Sequence, residues 1–398
     1  MNIGFVCHEI PPAPTGGIGI LTAELTRGLI KLGHCVHIAS LDNAAQKDSC
    51  EVVSSALTIH RLAGGQGRVR GYLNRLRLFL LIRRLAAARS IDIVEVPDFE
   101  GWSAGWRHLP IPVVVRLQGS VTYFANEMST LPNASMKFLE RIALRRADHV
   151  ISVSRYTADR TAEVFGLSLS PTVIHNSVLL PDMAKVKSDY GSRDLVCYSG
   201  TLVQKKGVFS LARAWPFIKQ RRPKARLMMI GRDGRHGARS SVEVIRELAG
   251  RHADSIDIVG HKPKVEVEAL LSTADVAVYP SYSEAFALAP MESMALRVPT
   301  IYSTRASGRE LMRHGVDGWL CDPDNTEQLA DQIATLLADE SLRHRLGHGG
   351  RLRISETFSH DKFLQANIDL YQRCIKERYE LSGLTTESLL IPRSPESI

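Results

Sequence analysis

The sequence predicts an α/β protein made of two doubly wound parallel-sheet domains lying side by side. Three observations predict it. Short runs rich in Val and Ile recur along the chain, separated by segments long enough for helices, the alternation expected of parallel sheets wound with helices. One opening, a strand, a Gly-bearing loop, a helix and a second strand, occurs twice, about half the chain apart. A length of 398 residues exceeds one ordinary core and suits two domains of roughly 180 residues each.

In the first half, residues 2–7 form the opening apolar run, Thr15-Gly16-Gly17 the loop, residues 18–32 the helix and residues 35–39 the next strand. Further strands are expected at residues 91–96, 113–117, 149–153 and 172–175. The second half repeats the order with residues 195–199, the polar loop from Gly200 to Gly207, a helix over 208–219 and a strand over 226–230 ended by Gly231. Strands at 257–259, 276–279 and 300–302 follow. Residues 181–193 are polar and hold Pro, Asp, Ser and Gly, so the boundary is expected near residue 185. Residues 382–398 lack periodicity, carry Pro392 and Pro395, and read as a disordered tail.

Lys and Arg outnumber Asp and Glu by eight, which suits nucleic acid, an anionic membrane surface or an anionic small substrate. No nucleic-acid module is recognisable, so nucleic acid ranks last. The densest basic segment is 68–89. On a helical wheel Arg70, Arg77 and Arg84 share a face, but Arg75, Arg83 and Arg89 point elsewhere, and Leu73, Leu76, Leu80 and Leu81 spread widely. That pattern favours a solvated helix with partly buried aliphatics, and peripheral contact with a membrane or lipid acceptor is the second reading. The N-terminus carries no signal-peptide pattern and no run approaches the ~18 apolar residues of a membrane span, so a cytoplasmic protein is expected. The six scattered cysteines form no CxxC pair and are expected to be buried and reduced.

In open parallel sheets ligands sit beyond the carboxyl ends of the strands. Three loops of the second half offer chemistry there. Loop 199–207 ends in Lys205, Lys206 and Gly207, a point charge for a diphosphate beside a residue that permits close backbone approach. Run 280–299 places Pro290 as a first-turn helix proline and Glu292 in that first turn, with the N–H groups of about 287–291 as unpaired donors for phosphate. Glu284 and Glu292 flank that site, and carboxylates beside a phosphate pocket accept hydrogen bonds from sugar hydroxyls. Each alone is also explained as a solvated loop charge or a favourable partner of the helix dipole. The third loop runs from Ser307-Gly308-Arg309-Glu310 through 315–320 and reads as turn punctuation.

Together these pieces resemble the family-4 retaining glycosyltransferases of the GT-B fold, over about residues 1–378. The specific part is Glu284-Ala-Phe-Ala-Leu-Ala-Pro-Met-Glu292 with the trailing Met-Ala and Pro299; Gly16-Gly17, Lys206-Gly207, residues 148–154 and residues 173–178 add support. The resemblance implies two Rossmann-like domains facing across a cleft: 1–185 for the acceptor, 186–357 for the donor, and a helix over about 358–378 crossing back to the first. It implies that Lys206 neutralises the donor diphosphate and that the backbone of Phe286, Ala287 and Leu288 cradles the distal phosphate and sugar. Glu284 would bind the transferred sugar, Glu292 the ribose, and Gly16 and Gly17 would close over the phosphates. The donor is a substrate, UDP-sugar first and GDP-mannose second, with no cofactor and no metal; the acceptor is a glycan, lipid-linked or small-molecule hydroxyl.

Two positions depart from the family's pattern. Thr201 stands where a phosphate-binding arginine is usual, with Lys205 or Arg232 as replacements. Gln118 stands where many relatives carry His, and an amide cannot accept a proton, so it can position but not act as a base. His8, Glu9 and Glu100 are the candidates to take over. These departures keep a decayed nucleotide-binding scaffold among the alternatives, beside a nucleotide-sugar epimerase. A nicotinamide-dependent oxidoreductase is disfavoured because Thr22 stands where the Gly17-Ile18-Gly19 fingerprint needs a small residue.

Overall fold

The computed structural model describes residues 1–10, 16–43, 45–65, 67–182 and 194–381. Thr15 of the expected glycine loop, the expected boundary near residue 185, and the expected tail at 382–398 lie outside the described residues.

The first domain opens with β1 (Asn2–Val6), α1 (Gly17–Lys31), β2 (Cys35–Asp42), β3 (Ser49–Ser54), β4 (Leu57–Ala63) and α2 (Arg68–Ala87). It continues with β5 (Ile93–Pro97), β6 (Val113–Leu117), α3 (Val121–Glu127), α4 (Ala134–Arg146), β7 (His149–Ser152), α5 (Arg155–Phe165) and β8 (Thr172–Val173). The sheet order is β3-β4-β2-β1-β5-β6-β7-β8, parallel except for the antiparallel β3–β4 pair. That hairpin was not expected: every residue of β3 is exposed, so it lacks the apolar signature of a buried strand.

The second domain comprises β9 (Leu195–Ser199), α6 (Val208–Arg221), β10 (Arg226–Ile230), the two-residue strands β11 (Arg235–His236) and β12 (Arg239–Ser240), α7 (Ser241–Ala249), β13 (Ile256–Gly260), α8 (Lys264–Leu271) and β14 (Val276–Tyr279). Then come α9 (Leu288–Ala295), β15 (Thr300–Ser303), α10 (Gly308–Leu311), β16 (Trp319–Cys321), α11 (Thr326–Ala338) and α12 (Glu340–Thr357). Its parallel sheet is ordered β13-β10-β9-β14-β15-β16. β16 lies within what the sequence presented as turn punctuation; it has three residues and is an edge strand. Each order reverses once, between β1 and β5 and between β9 and β14, and the crevices at those points are where loops diverge to admit a ligand.

α2 differs from its expectation. Its Leu78, Ile82 and Leu85 are buried, while Val69, Tyr72, Leu73, Leu76 and Leu80 are all exposed on the opposite face. The leucines are therefore sorted into two stripes, not scattered. Arg75 turns inward, donates to the Gly101 and Glu100 carbonyls and covers the Trp102 ring. Cys7, Cys197, Cys321 and Cys374 are buried as expected, whereas Cys50, on β3, is exposed and Cys35 half-buried; none is in a disulfide.

The expected crossover helix is α13 (His360–Leu381), which leaves the second domain and packs on the first. Phe363, Leu364, Ile368, Tyr371 and Cys374 join Ile3, Phe5, Leu25 and Leu29 in one core. A buried polar network fixes the helix against the sheet. Arg116 of β6 donates twice to Glu95 of β5, at 2.7 and 2.8 Å, and once to Asn367, while the Tyr371 hydroxyl donates to Glu95 at 2.6 Å. Replacing one charged member leaves the other buried and uncompensated. Arg116→Leu is expected to lower first-domain stability by roughly 3–5 kcal/mol in denaturant unfolding. Tyr371→Phe, which removes one bond of the network, should cost about 1–2 kcal/mol.

Candidate active site

The site assembles at the β9–β14 reversal. Gly207 has φ +71, and a Cβ there would collide with the Pro280 carbonyl oxygen, so a glycine lets the loop after β9 lie against the loop after β14. The Lys205 carbonyl then accepts N–H bonds from Tyr282 at 2.8 Å and Ser283 at 3.3 Å. Held this way, the Lys206 ammonium forms an ion pair with Glu284, whose same oxygen accepts the Ser281 hydroxyl at 3.3 Å. The two residues are 78 positions apart, and their direct pairing was not anticipated: the sequence assigns Lys206 to a diphosphate and Glu284 to sugar hydroxyls. Below them Tyr279 links Ser199 at 3.0 Å to Ser293 of α9 at 2.6 Å, fixing that helix to the strand it follows.

α9 begins at Leu288 with Ala287 as its N-cap. Pro290 is a first-turn residue as expected, but Glu292 is not: it lies in the second turn. The orphan donors are correspondingly fewer, because Pro290 has no N–H and Met291 falls inside the helical ladder. Burial pushes the Glu292 carboxyl up to about 7, against the pull of Lys264 and with Glu268 and Glu24 nearby. Lys264 of α8 also pairs with Glu24 of α1 at 3.3 Å, so Glu292 lies where the two domains meet.

Of the remaining expected residues, Thr201 is exposed in the loop after β9, its carbonyl held by the Tyr198 hydroxyl at 3.1 Å. Arg232 runs alongside, its carbonyl accepting Leu202 N–H at 2.9 Å. Lys205 reaches into the cleft and sits 3.9 Å from the Phe124 ring centroid of the first domain; burial lowers its pKa. Gly16 is at the start of α1, and its N–H is taken by the Glu9 carboxylate at 2.6 Å, so an anion already sits there. Gly17 is open: a Cβ would meet nothing within 4 Å. His8 stacks on Phe99, with ring centroids 5.3 Å apart. Glu100, at φ +60, belongs to the turn that Arg75 and Glu140 secure.

Gln118 follows β6, and its N–H donates to Asp98 at 3.0 Å. Asp98 was not singled out by the sequence. It follows the last residue of β5, is buried, and its second carboxyl oxygen has no hydrogen-bond partner among the described residues. Burial, with Glu140 adding repulsion, pushes its carboxyl up to about 7. Glu140 meanwhile caps α3, accepting the Val121 N–H at 2.9 Å and the Thr122 N–H at 3.1 Å. The two buried acids thus shape the loops on either side of Gln118. Glu310, read in the sequence only as part of a turn, is a second omission: it receives the first N–H groups of α5 from across the interface, Arg155 at 2.8 Å and Tyr156 at 2.7 Å.

Two doubly wound domains with a paired lysine and glutamate at the second domain's switch point define a GT-B glycosyltransferase. The chain belongs to the family-4 glycosyltransferases: the Glycosyltransferase Family 4 model matches residues 15–180 and the Glycosyl transferases group 1 model residues 182–353. It is similar to a glycogen synthase of Mycobacterium tuberculosis, 25% identical over 93% of this chain and 94% of that protein. It is also similar to the N-acetyl-alpha-D-glucosaminyl L-malate synthase of Bacillus anthracis, 24% identical over 95% and 98%. Among solved structures, sucrose-phosphate synthase from Thermosynechococcus elongatus superposes with a TM-score of 0.79 at 20% identity, covering 94% of this chain and 99% of that one. Anabaena HepE, solved with UDP and glucose, superposes with 0.72 at 17%, again over 94% and 99%.

The buried acid at Asp98 makes a pH prediction. Its folded value, about 7, exceeds the ordinary 3.8, so between those values the folded state holds more protons than the unfolded one. Its contribution is complete below about pH 4 and is lost as pH rises through 7. The wild type is therefore expected to lose Tm between about pH 5 and 7.5, and Asp98→Asn should flatten that decline.

Proposed function

We propose that the chain transfers a sugar, with retention at the anomeric carbon and without a metal ion, from a nucleoside diphosphate sugar to a glycan, lipid-linked or small-molecule hydroxyl. The observation that carries this is the Lys206–Glu284 pair beside the start of α9. An arriving diphosphate competes for the lysine, and the released Glu284 carboxylate is then free to accept hydrogen bonds from sugar hydroxyls. As the glycosidic bond lengthens, charge grows on the diphosphate, and Lys206 with the backbone donors of Phe286, Ala287 and Leu288 is aimed at that charge. Glu292 takes the ribose hydroxyls. Gln118 orients by hydrogen bonding and leaves the acceptor proton to the departing phosphate. Gly16 and Gly17 close over the phosphates once Glu9 yields the Gly16 N–H. UDP is the first choice of nucleotide, supported by the solved complex of HepE with UDP and glucose, and GDP the second.

Thermal shift with UDP, GDP, ADP, TDP and NAD tests the donor site. One nucleoside diphosphate should stabilise the wild type, and that shift should vanish in Lys206→Ala and Glu292→Ala. Silence from every diphosphate, or a response to NAD alone, overturns the reading. Turnover of the nucleotide sugar alone separates the alternatives: slow hydrolysis to free sugar fits a transferase, and a 2-epimer as product would move the reading to the epimerase.

The exposed face of α2 favours acceptor access at a membrane surface. Val69 and Tyr72 are 73% and 62% exposed, Leu73 and Leu76 about half, and Arg70, Arg83 and Arg84 flank them; the helix has no acidic residue. An apolar stripe bordered by arginines lies in a bilayer interface, each cation near an anionic surface adding about 1 kcal/mol. No helix among the described residues is long and apolar enough to cross a membrane, so contact would be peripheral. The wild type should sediment with vesicles containing phosphatidylglycerol but not with pure phosphatidylcholine, and Leu73→Ser with Leu76→Ser should abolish this. Equal, low partition into both vesicle types would count against membrane docking.

A further inference from the structure

Three consecutive carbonyls of the loop leading into α9 are held by side chains of the other domain. The Tyr123 hydroxyl donates to the Glu284 carbonyl at 3.3 Å. The hydroxyls of Ser154 and Thr157 reach the Ala285 carbonyl at 2.9 and 3.0 Å. Asn176 Nδ2 donates to the Phe286 carbonyl at 2.8 Å. All four side chains are buried, so water does not compete for these carbonyls.

The peptide plane converts this into a statement about donors. In a trans peptide the carbonyl of one residue and the N–H of the next point in opposite directions. Drawing the carbonyls of Glu284, Ala285 and Phe286 toward the first domain turns the N–H groups of Ala285, Phe286 and Ala287 away from it. Phe286 and Ala287 are two of the backbone positions assigned to the phosphate cradle. The contact is also reciprocal. Glu310 of the second domain receives the N–H groups of Arg155 and Tyr156, and Ser154, the N-cap of α5, is itself one of the clamping hydroxyls. The Phe286 ring is packed between His175, at 4.9 Å, and Phe358, at 5.4 Å.

We propose that Tyr123, Ser154, Thr157 and Asn176 are positioning residues that orient the phosphate-binding backbone of the opposite domain, so that the anion cradle is complete only while the two domains are engaged. The inference rests on the proposed donor site. It couples nucleotide affinity to domain engagement, although none of the four residues needs to touch the donor.

The test uses the full chain with UDP and GDP as titrants, measuring Kd, kcat for donor hydrolysis and Tm for each variant. Asn176→Asp keeps the shape but faces the Phe286 carbonyl with an acceptor, and Thr157→Val removes a hydroxyl at constant size. Each should weaken diphosphate binding about tenfold and lower kcat by at least as much, at temperatures well below its Tm. Thr157→Ser restores the hydroxyl and should stay within about threefold of the wild type. If Asn176→Asp does not fold, Tyr123→Phe applies the same test to the Glu284 carbonyl. Variants that lose Tm yet keep Kd and kcat within about twofold would reduce the four residues to interface packing and overturn the proposal. A wild type that binds neither UDP nor GDP overturns the donor reading itself, and that outcome involves no variant.

Discussion

The ammonium of Lys206 and the carboxylate of Glu284 neutralise each other in a half-buried crevice, and much of the second domain is arranged to let them meet. Their approach depends on Gly207 lying against Pro280, on the Lys205 carbonyl tying down Tyr282 and Ser283, and on the Tyr279 hydroxyl linking the sheet to α9. On the proposed reading, a diphosphate that takes over Lys206 leaves Glu284 to the sugar hydroxyls, so diphosphate capture and sugar recognition would be one exchange of partners.

The first domain contributes in a different way. Its own switch point is shaped by two buried acids, Asp98 and Glu140, that hold the loops around Gln118 through backbone N–H groups. Where a histidine would bring a titratable base, this chain has an amide on a rigid loop with a buried carboxyl behind it.

Most strands were legible because buried parallel strands are short apolar runs: 113–117, 195–199, 226–230 and 276–279 coincide with β6, β9, β10 and β14. β3 and β4 were not, since the exposed edge strand β3 has no apolar run to see and β4 buries only Ile59 and Leu62 among polar residues, and three-residue β16 was hidden among turn residues. That Lys206 and Glu284 lie in neighbouring loops was legible from the strand pattern, but their direct ion pair was not, since each had been given to a different part of a ligand. The second-turn position of Glu292 was missed because Pro290 is tolerated throughout the first turn and so fixes the start only loosely. Asp98 and Glu310 acquire meaning from partners 20 and 155 positions away, and nothing local marks them; Asn176 lay in a segment already noted, but its partner 110 positions away was not legible.

The return of α13 onto the first domain has a consequence for how the molecule is made. Tyr371 and Asn367 complete a polar network begun by Glu95 and Arg116, and Phe363, Leu364 and Ile368 fill a core opened by Ile3 and Phe5. The half of the protein synthesised first therefore leaves the ribosome with a groove in its core and an ion pair lacking two of its partners. It must wait for the entire second domain to be translated before its last helix arrives. Domain-by-domain folding during synthesis is thus available to the second domain, while the half that emerges earliest is the one finished last.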